Sequence, residues 1–337
     1  MKRGAFRFLA ARLGGWALLL LALVAAPCFA RGVQLDLTGY QRDDGAITTH
    51  YRGHSADPYF AIKALLAARE LGLDIAAPAG RWIDWMLART NPGSSLYGRY
   101  CLAEDETWRQ CQEADADDSL LALWLELLYV SAPAGAPLPP AWQKESERAL
   151  AALEQLYAPD LGAYVVSPDL RVALLMDNCE VVAALRAVAR QKRSRGDAAG
   201  ARRLRRQAEL AERGMGRLFR PKADGLLRHT SQSETEEQAF YPHATAHVYP
   251  LLSGLDSLIK KPAIDYKEWM RRYGTAWLNL TADQYPWGLV AQAALNRGDM
   301  PTVTSWVRRT APLRHGARWN VLEEALWQGL STRVASR

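Results

Sequence analysis

The stretch Asp115-Ala116-Asp117-Asp118-Ser119-Leu120-Leu121-Ala122-Leu123-Trp124-Leu125-Glu126-Leu127-Leu128-Tyr129-Val130 decides the fold. Three carboxylates lead into twelve residues, 119–130, that carry one charge, Glu126. A helix apolar on nearly every side has to be surrounded by protein. The segment therefore predicts an inner helix with an acid-rich head. By contrast, residues 143–154 carry five charges in twelve and residues 197–213 carry eight in seventeen. Those segments read as outer helices with one face in water.

Heads of the same kind recur on either side. Asp57-Pro58-Tyr59-Phe60, the Asp115 run and Asp177-Asn178-Cys179-Glu180 stand about 60 residues apart. Tyr241-Pro242-His243, Asp283-Gln284-Tyr285-Pro286-Trp287 and Arg318-Trp319-Asn320 follow at intervals of about 35 to 65. Self-similarity of this sort marks a repeated supersecondary unit. Six inner and six outer helices in alternation predict an all-α fold, an (α/α)6 toroid. Closure is an inference here, because open solenoids alternate in the same way. In a closed ring the inner helices run in one direction and their heads gather at one mouth. A single Asp or Asn serves as a helix cap, but a cap uses one acceptor oxygen, and Asp115, Asp117 and Asp118 supply three carboxylates. Short rim β-hairpins are expected at 160–166 and 224–228, each with Gly at the bend; residues 133–140 connect on the opposite side.

Composition narrows the function. The chain has 337 residues, 49% hydrophobic and 23% charged, which excludes disordered, collagenous and disulfide-framework classes. Its formal charge is +6, yet Lys2, Arg3, Arg7 and Arg12 all fall in the first thirty residues; without them 38 basic side chains face 36 acidic ones. That balance offers no concentrated cationic face, so no nucleic-acid partner is expected. Residues 1–30 read as a secretory signal peptide, with a cationic start, an apolar run at 16–26 and Cys28-Phe29-Ala30 before the cut. Its about twelve apolar residues fall short of the ~20 a membrane span needs, and Pro27 before Cys28 argues against a lipoprotein. Export to the periplasm or medium follows, with residues 31–337 as a single domain that meets a membrane only through the export signal. Cys101 and Cys111 flank a polar segment able to fold back, and an oxidising compartment would let them pair. Cys179, among helix formers, reads as a buried thiol. No Cys/His spacing suits a zinc site, and neither metal nor cofactor is expected.

The alternation, the rim hairpins and the acid-headed inner helices resemble the six-hairpin glycosidase superfamily of (α/α)6 enzymes. Ala114-Asp115-Ala116-Asp117-Asp118-Ser119-Leu120-Leu121-Ala122 is similar to the Asp-x-Asp helix start of glycoside hydrolase family 8, the family of bacterial cellulases and chitosanases. Adjacent Asp117 and Asp118 also resemble the paired aspartates of family 76 mannanases. Family 8 enzymes carry a Glu general acid at the head of the first inner helix, where this chain has Ser55-Ala56-Asp57-Pro58. If Asp57 takes that role, its shorter side chain reaches from a different place; if it does not, the family 8 mechanism does not carry over.

Glycosidic cleavage needs one protonated and one ionised carboxyl group. Neighbouring inner-helix heads, roughly 8–10 Å apart axis to axis, can span such a pair. Asp57, Asp117, Asp177 and Glu180 are the catalytic candidates. Asp177 and Glu180 are three apart on one helix face, a spacing that equally makes a capping box. Asp115, Asp118, Tyr241, His243, Tyr285 and Trp287 are the substrate-binding candidates, the aromatics because they offer a sugar both an apolar body and a polar tip. His247 lies one turn beyond His243 on the same face. Trp124 and Trp327, inside apolar helices, read as core. The run Glu234-Thr235-Glu236-Glu237 reads as a solvated rim, with a loop-borne catalytic acid as the sharper alternative. The expected function is an exported glycoside hydrolase cleaving a polysaccharide or oligosaccharide by carboxylate acid/base catalysis. Two alternatives stand beside it. A polysaccharide lyase would use Tyr241 and His243 as base and acid and Arg318 to neutralise a uronate. A catalytically silent polysaccharide-binding or assembly factor would keep only the cleft.

Overall fold

The computed structural model describes residues 32–89, 97–232 and 239–336. The leader at 1–30 and the acidic run at 234–237 lie outside the described residues.

Each head starts a helical segment for a local reason. Asp57 caps α1 (Pro58–Glu70): its Oδ1 accepts the Tyr59 N–H at 3.0 Å, and Pro58 occupies the first turn, where a missing N–H costs no bond. Asn320 caps α12 (Val321–Ala335) through the Glu323 N–H at 3.0 Å. Buried on almost all sides, α3 (Asp117–Ser131) and α10 (Gly288–Asn296) are inner helices, as is the first part of α5 (Leu175–Ser194). Outside them lie α2 (Ala76–Leu87), α4 (Pro140–Gln155), α6 (Ala198–Leu218) and α11 (Met300–Thr310). On α6 the buried Ala201, Leu204, Ala208, Ala211 and Met215 recur at helical spacing, and the arginines between them face solvent.

The fourth inner helix expected after Tyr241 is broken. A wide turn, Phe240–Ala244, leads to the short α7 (Tyr249–Leu252). Pro250 cannot donate to the Ala246 carbonyl and its ring crowds that oxygen, so the ladder opens before it. The outer partner is also in pieces, α8 (Tyr266–Trp269) and α9 (Thr275–Leu278).

Contacts close the ring. Helix α1 packs on α3, α3 on α5, α5 on α7, α7 on α10, α10 on α12, and α12 returns to α1. The fold is the (α/α)6 toroid, and the open solenoid is excluded. The outer layer departs from the expected six, because five outer segments occur among the described residues. Beside α12 and α2 runs a non-helical stretch, 32–52: Gln328 Nε2 donates to the Asp36 carbonyl at 2.7 Å, and Gln41 Nε2 to the Pro78 carbonyl at 3.0 Å. Gly39 and Gly45, at φ 81° and 96°, turn this stretch back on itself in a way no helix permits.

Three hairpins decorate one rim. β1 (Ser55–Ala56), β2 (Gly98–Leu102) and β3 (Trp108–Glu113) form an antiparallel sheet in which Ala56 pairs with Tyr100. β4 (Tyr157–Ala158) and β5 (Ala163–Tyr164) flank the first expected bend, and a Pro221–Leu227 bridge closes the second. All three lie between an outer helix and the next inner one, so they surround the end where inner helices begin. Cys101 and Cys111 are joined in a disulfide across β2 and β3, and Cys179 is a buried free thiol. Closing a loop with a separation of 10 residues is worth about 3 kcal/mol in the chain-entropy account. A Cys101→Ser/Cys111→Ser double variant is expected to unfold at correspondingly lower urea; an unchanged midpoint would show the bridge adds nothing.

Six tryptophans, Trp82, Trp124, Trp269, Trp277, Trp306 and Trp319, are fully buried. Trp327 is half-buried instead, with the Arg314 guanidinium 3.9 Å over its ring. No helix among the described residues is long and apolar enough to cross a membrane.

Candidate active site

All six inner segments open into one cavity of about 380 Å³. Asp57 and Tyr59 come from the first head, Asp115 and Ser119 from the second, and Asp177 from the third. Tyr241 and Tyr249 come from the fourth, Tyr285 and Trp287 from the fifth, and Asn320 and Glu323 from the sixth. A wider surface groove of about 620 Å³ along α11 carries no carboxylate and lies away from these heads.

Six of the ten candidate residues line the cavity: Asp57, Asp115, Asp177, Tyr241, Tyr285 and Trp287. The other four sit elsewhere, and the geometry says why. Because α3 begins at Asp117, its axis-facing stripe runs through Ala116, Ser119 and Leu120. Asp117 is off the cavity, and burial, then the nearby Glu113 and Asp169, raise its carboxyl to about 6. Asp118 points into the protein and is wholly buried. Glu180 lies one turn below the mouth in an ion pair with Lys63, and Tyr59 Oη donates to its Oε1 at 3.0 Å. His243 is buried edge-on against His229, ring centres 4.3 Å apart. Its neighbour His247 is spent on structure: the Leu227 N–H donates to Nδ1 at 3.4 Å and Nε2 meets the Ile264 carbonyl at 2.8 Å. No group of three or more His, Cys, Asp or Glu among the described residues is arranged to hold a metal ion.

The carboxyl groups in the mouth differ in environment. Burial pushes Asp177 well above the usual carboxylate range, Asp115 adds to the rise, and Lys63 below opposes it. Behind it, Asp118 is raised by burial and then by Asp177 itself, since two adjacent buried carboxylates resist ionising together. Asp177 Oδ2 has no partner among the described residues. Asp57 is held differently. The Ala56–Tyr100 pairing brings Arg99 level with it, and Arg99 Nε donates to Asp57 Oδ2 at 2.6 Å. Burial raises the Asp57 carboxyl above its ordinary value, and Arg99 offsets only part of that rise. The other arm of Arg99 grips Asp115.

Facing these acids is an aromatic ledge. Tyr241, 50% exposed, stacks on Trp287 with centroids 5.2 Å apart and planes 23° from parallel.

Sequence reasoning missed Tyr59, Arg99, Tyr249, Asp283 and Glu323 as cavity residues. A signal existed for Glu323, since Asn320-x-x-Glu323 has the spacing of a capping box. Its carboxylate does not fold back on Asn320 but crosses to the Gly288 N–H on α10, at 2.9 and 3.2 Å from its two oxygens. For Arg99 no local pattern was available, because strand register alone puts it beside Asp57.

No family model matches this chain, and no curated protein does. Solved structures do. Rex8A from Paenibacillus barcinonensis, in a mutant complexed with an arabinofuranosyl-xylotetraose, is 15% identical over 88% of this chain and 85% of that one, with a TM-score of 0.55. A reducing-end-xylose releasing exo-oligoxylanase is 13% identical over 86% of each, also at 0.55. At such identities the likeness is one of fold: the neighbours share the toroid.

Proposed function

We propose that this protein is an exported glycoside hydrolase whose cavity binds a neutral oligosaccharide or polysaccharide and cleaves it between two carboxyl groups. The observation that carries the reading is the convergence of six inner-helix heads on one mouth, where Asp177 and an arginine-paired Asp57 line the same cavity beside an aromatic ledge. Similarity in fold to an enzyme that releases reducing-end xylose and to one complexed with a substituted xylotetraose supports the substrate class. The leader-like residues 1–30 and the Cys101–Cys111 bridge support export to an oxidising compartment.

In this scheme Asp177 donates a proton to the leaving glycosidic oxygen. Burial keeps that proton on it near neutrality, which is what a general acid needs. Asp57, its charge stabilised by Arg99, is the ionised partner that activates water or meets the anomeric carbon. Asp57 is committed to Arg99 while Asp177 Oδ2 has no partner among the described residues, so the acid is assigned to Asp177 and the family 8 pattern, with its acid on the first inner helix, is not carried over. Tyr241 and Trp287 supply flat surface for the C–H face of a sugar.

The lyase reading loses its parts. Arg99, the cation on the described cavity wall, is occupied by Asp57 and Asp115, whereas a uronate needs a cation to spare. Arg318 spends its guanidinium on the carbonyls of Asp283 and Gln284, and His243 is off the cavity.

The test is to incubate the purified protein with hexasaccharides of xylose, glucose, mannose and glucosamine and to assay new reducing ends. Cleavage of one of them is expected. Binding without cleavage would leave a recognition cleft, and an ultraviolet-absorbing product from a uronate polymer would restore the lyase. Trp287→Ala is expected to raise KM about tenfold, ~1.4 kcal/mol of lost stacking, with kcat little changed; steady-state kinetics decides, and an unchanged KM would remove the ledge from the site.

A further inference from the structure

The turn that carries Trp287 is gripped from every side. Trp287 itself sits at φ 50°, ψ 61°, a left-handed conformation that bulky L-residues avoid unless their surroundings impose it. Before it, the Pro286 carbonyl accepts two indole N–H groups, from Trp277 at 2.9 Å and Trp306 at 3.0 Å. After it, the Gly288 N–H donates to both oxygens of Glu323, and the Trp287 N–H also favours that carboxylate. Gly288 has to be glycine: a Cβ there would lie 2.7 Å from Glu323 Oε2 and 2.9 Å from the Trp306 ring. Arg318 fastens the start of the loop through the Asp283 carbonyl at 2.8 Å.

Of these grips Glu323 alone is a carboxyl and alone comes from α12. It is 5% exposed, on the cavity wall, yet both its oxygens face backbone N–H groups. Burial pushes the Glu323 carboxyl up to about 7, and the Gly288 N–H, then the Trp287 N–H, oppose that rise; the Gly288 N–H shared between both oxygens is the bond that ties α12 to the turn. We propose that Glu323 is a positioning residue: it holds the left-handed Trp287 turn, and through it the Tyr241–Trp287 ledge on which the glycan stacks. It does not touch the reacting atoms. This inference rests on reading the cavity as a glycan cleft, but the grip itself exists in the free protein. That separates the two tests.

In the absence of any sugar, the near-ultraviolet circular dichroism difference between wild type and Trp287→Phe defines the band of the stacked indole. Glu323→Ala is expected to lose that same band with far-ultraviolet spectra unchanged, and Glu323→Ala/Trp287→Phe to show no further loss. Glu323→Gln, which keeps one acceptor oxygen, is expected to retain most of it; if the alanine variant does not fold, Glu323→Met, which fills the space without an acceptor, carries the test by losing the band, and an intact band there overturns the proposal. An intact indole band in Glu323→Ala would overturn the proposal, whatever the protein does to sugars. With the hexasaccharide that the wild type cleaves, Glu323→Ala is expected to raise KM about tenfold with kcat within about threefold, and Glu323→Gln to rescue most of the loss. A hundredfold fall in kcat for Glu323→Gln at unchanged KM would make Glu323 a catalytic carboxyl and overturn its positioning role. Should none of the panel be cleaved, the hydrolase reading fails, and the spectroscopic arm still decides this one.

Discussion

Asp177→Asn is expected to lower kcat for glycan cleavage by about 10²–10⁴-fold, the range a positioned general acid supplies, while oligosaccharide affinity stays within a few-fold of wild type. The amide keeps the shape of the side chain and removes its titrating proton. Stability gives an independent check with a defined sign. A carboxyl raised in the folded state favours folding fully below its unfolded pKa, ~4, and loses that contribution as pH rises through the folded value. Asp177 is such a group. The asparagine variant escapes the loss, so its stability relative to wild type should increase between pH 5 and pH 8 in urea titrations. If the two proteins keep a constant difference across that range, Asp177 is ionised throughout and is not the proton donor. Full turnover by the variant would have the same consequence.

Lys63→Met is expected to be the most destabilising single change, by about 3–5 kcal/mol, because removing one member of a buried ion pair strands the other. Lys63 and Glu180 are 8% and 5% exposed and pair between α1 and α5. Lys63 Nζ also donates to Tyr59 Oη at 3.1 Å and lies 4.5 Å over the Tyr249 ring. Burial draws the ammonium below its ordinary range, and Asp177 and Glu70 oppose that fall. The double variant Lys63→Met/Glu180→Gln leaves no stranded charge and should recover most of the loss. A double-mutant cycle in urea measures this coupling. Single variants within 1 kcal/mol of wild type, or strictly additive losses, would show that the pair does not hold the floor of the cavity together.

Glu180 shows where a linear reading stops. Three residues after Asp177 is a helical fact, and it correctly puts both side chains on the axis side of α5. It does not say how deep each lies. One turn of rise, ~5.4 Å, separates a carboxyl that meets the cavity from one that meets Lys63 beneath it. Asp117 lies off the cavity for a related reason. Composition marks 115–118 as an acidic head, but which acid faces inward depends on the residue at which the helix begins. With α3 starting at Asp117, rotation of about 100° per residue leaves Asp115 at the mouth, Asp117 at the side and Asp118 inside.

What the chain itself determined is the class of architecture and the location of its working end. Charge periodicity separated inner from outer helices, and recurring polar heads marked the inner N-termini. Gly-centred bends placed two rim hairpins, and two cysteines bracketed a third. These are short-range signals, each contained in one or two turns of helix or strand. Tertiary structure decided closure, because α12 meets α1 only when the five steps between them add to a full circle. It decided the partners too: Arg99 beside Asp57 through strand register, Glu323 across to Gly288 through helix neighbourhood, Lys63 under Asp177 through depth in the ring. Those couplings join residues tens to more than a hundred positions apart, and they, rather than the presence of acids, set the environment of each carboxyl.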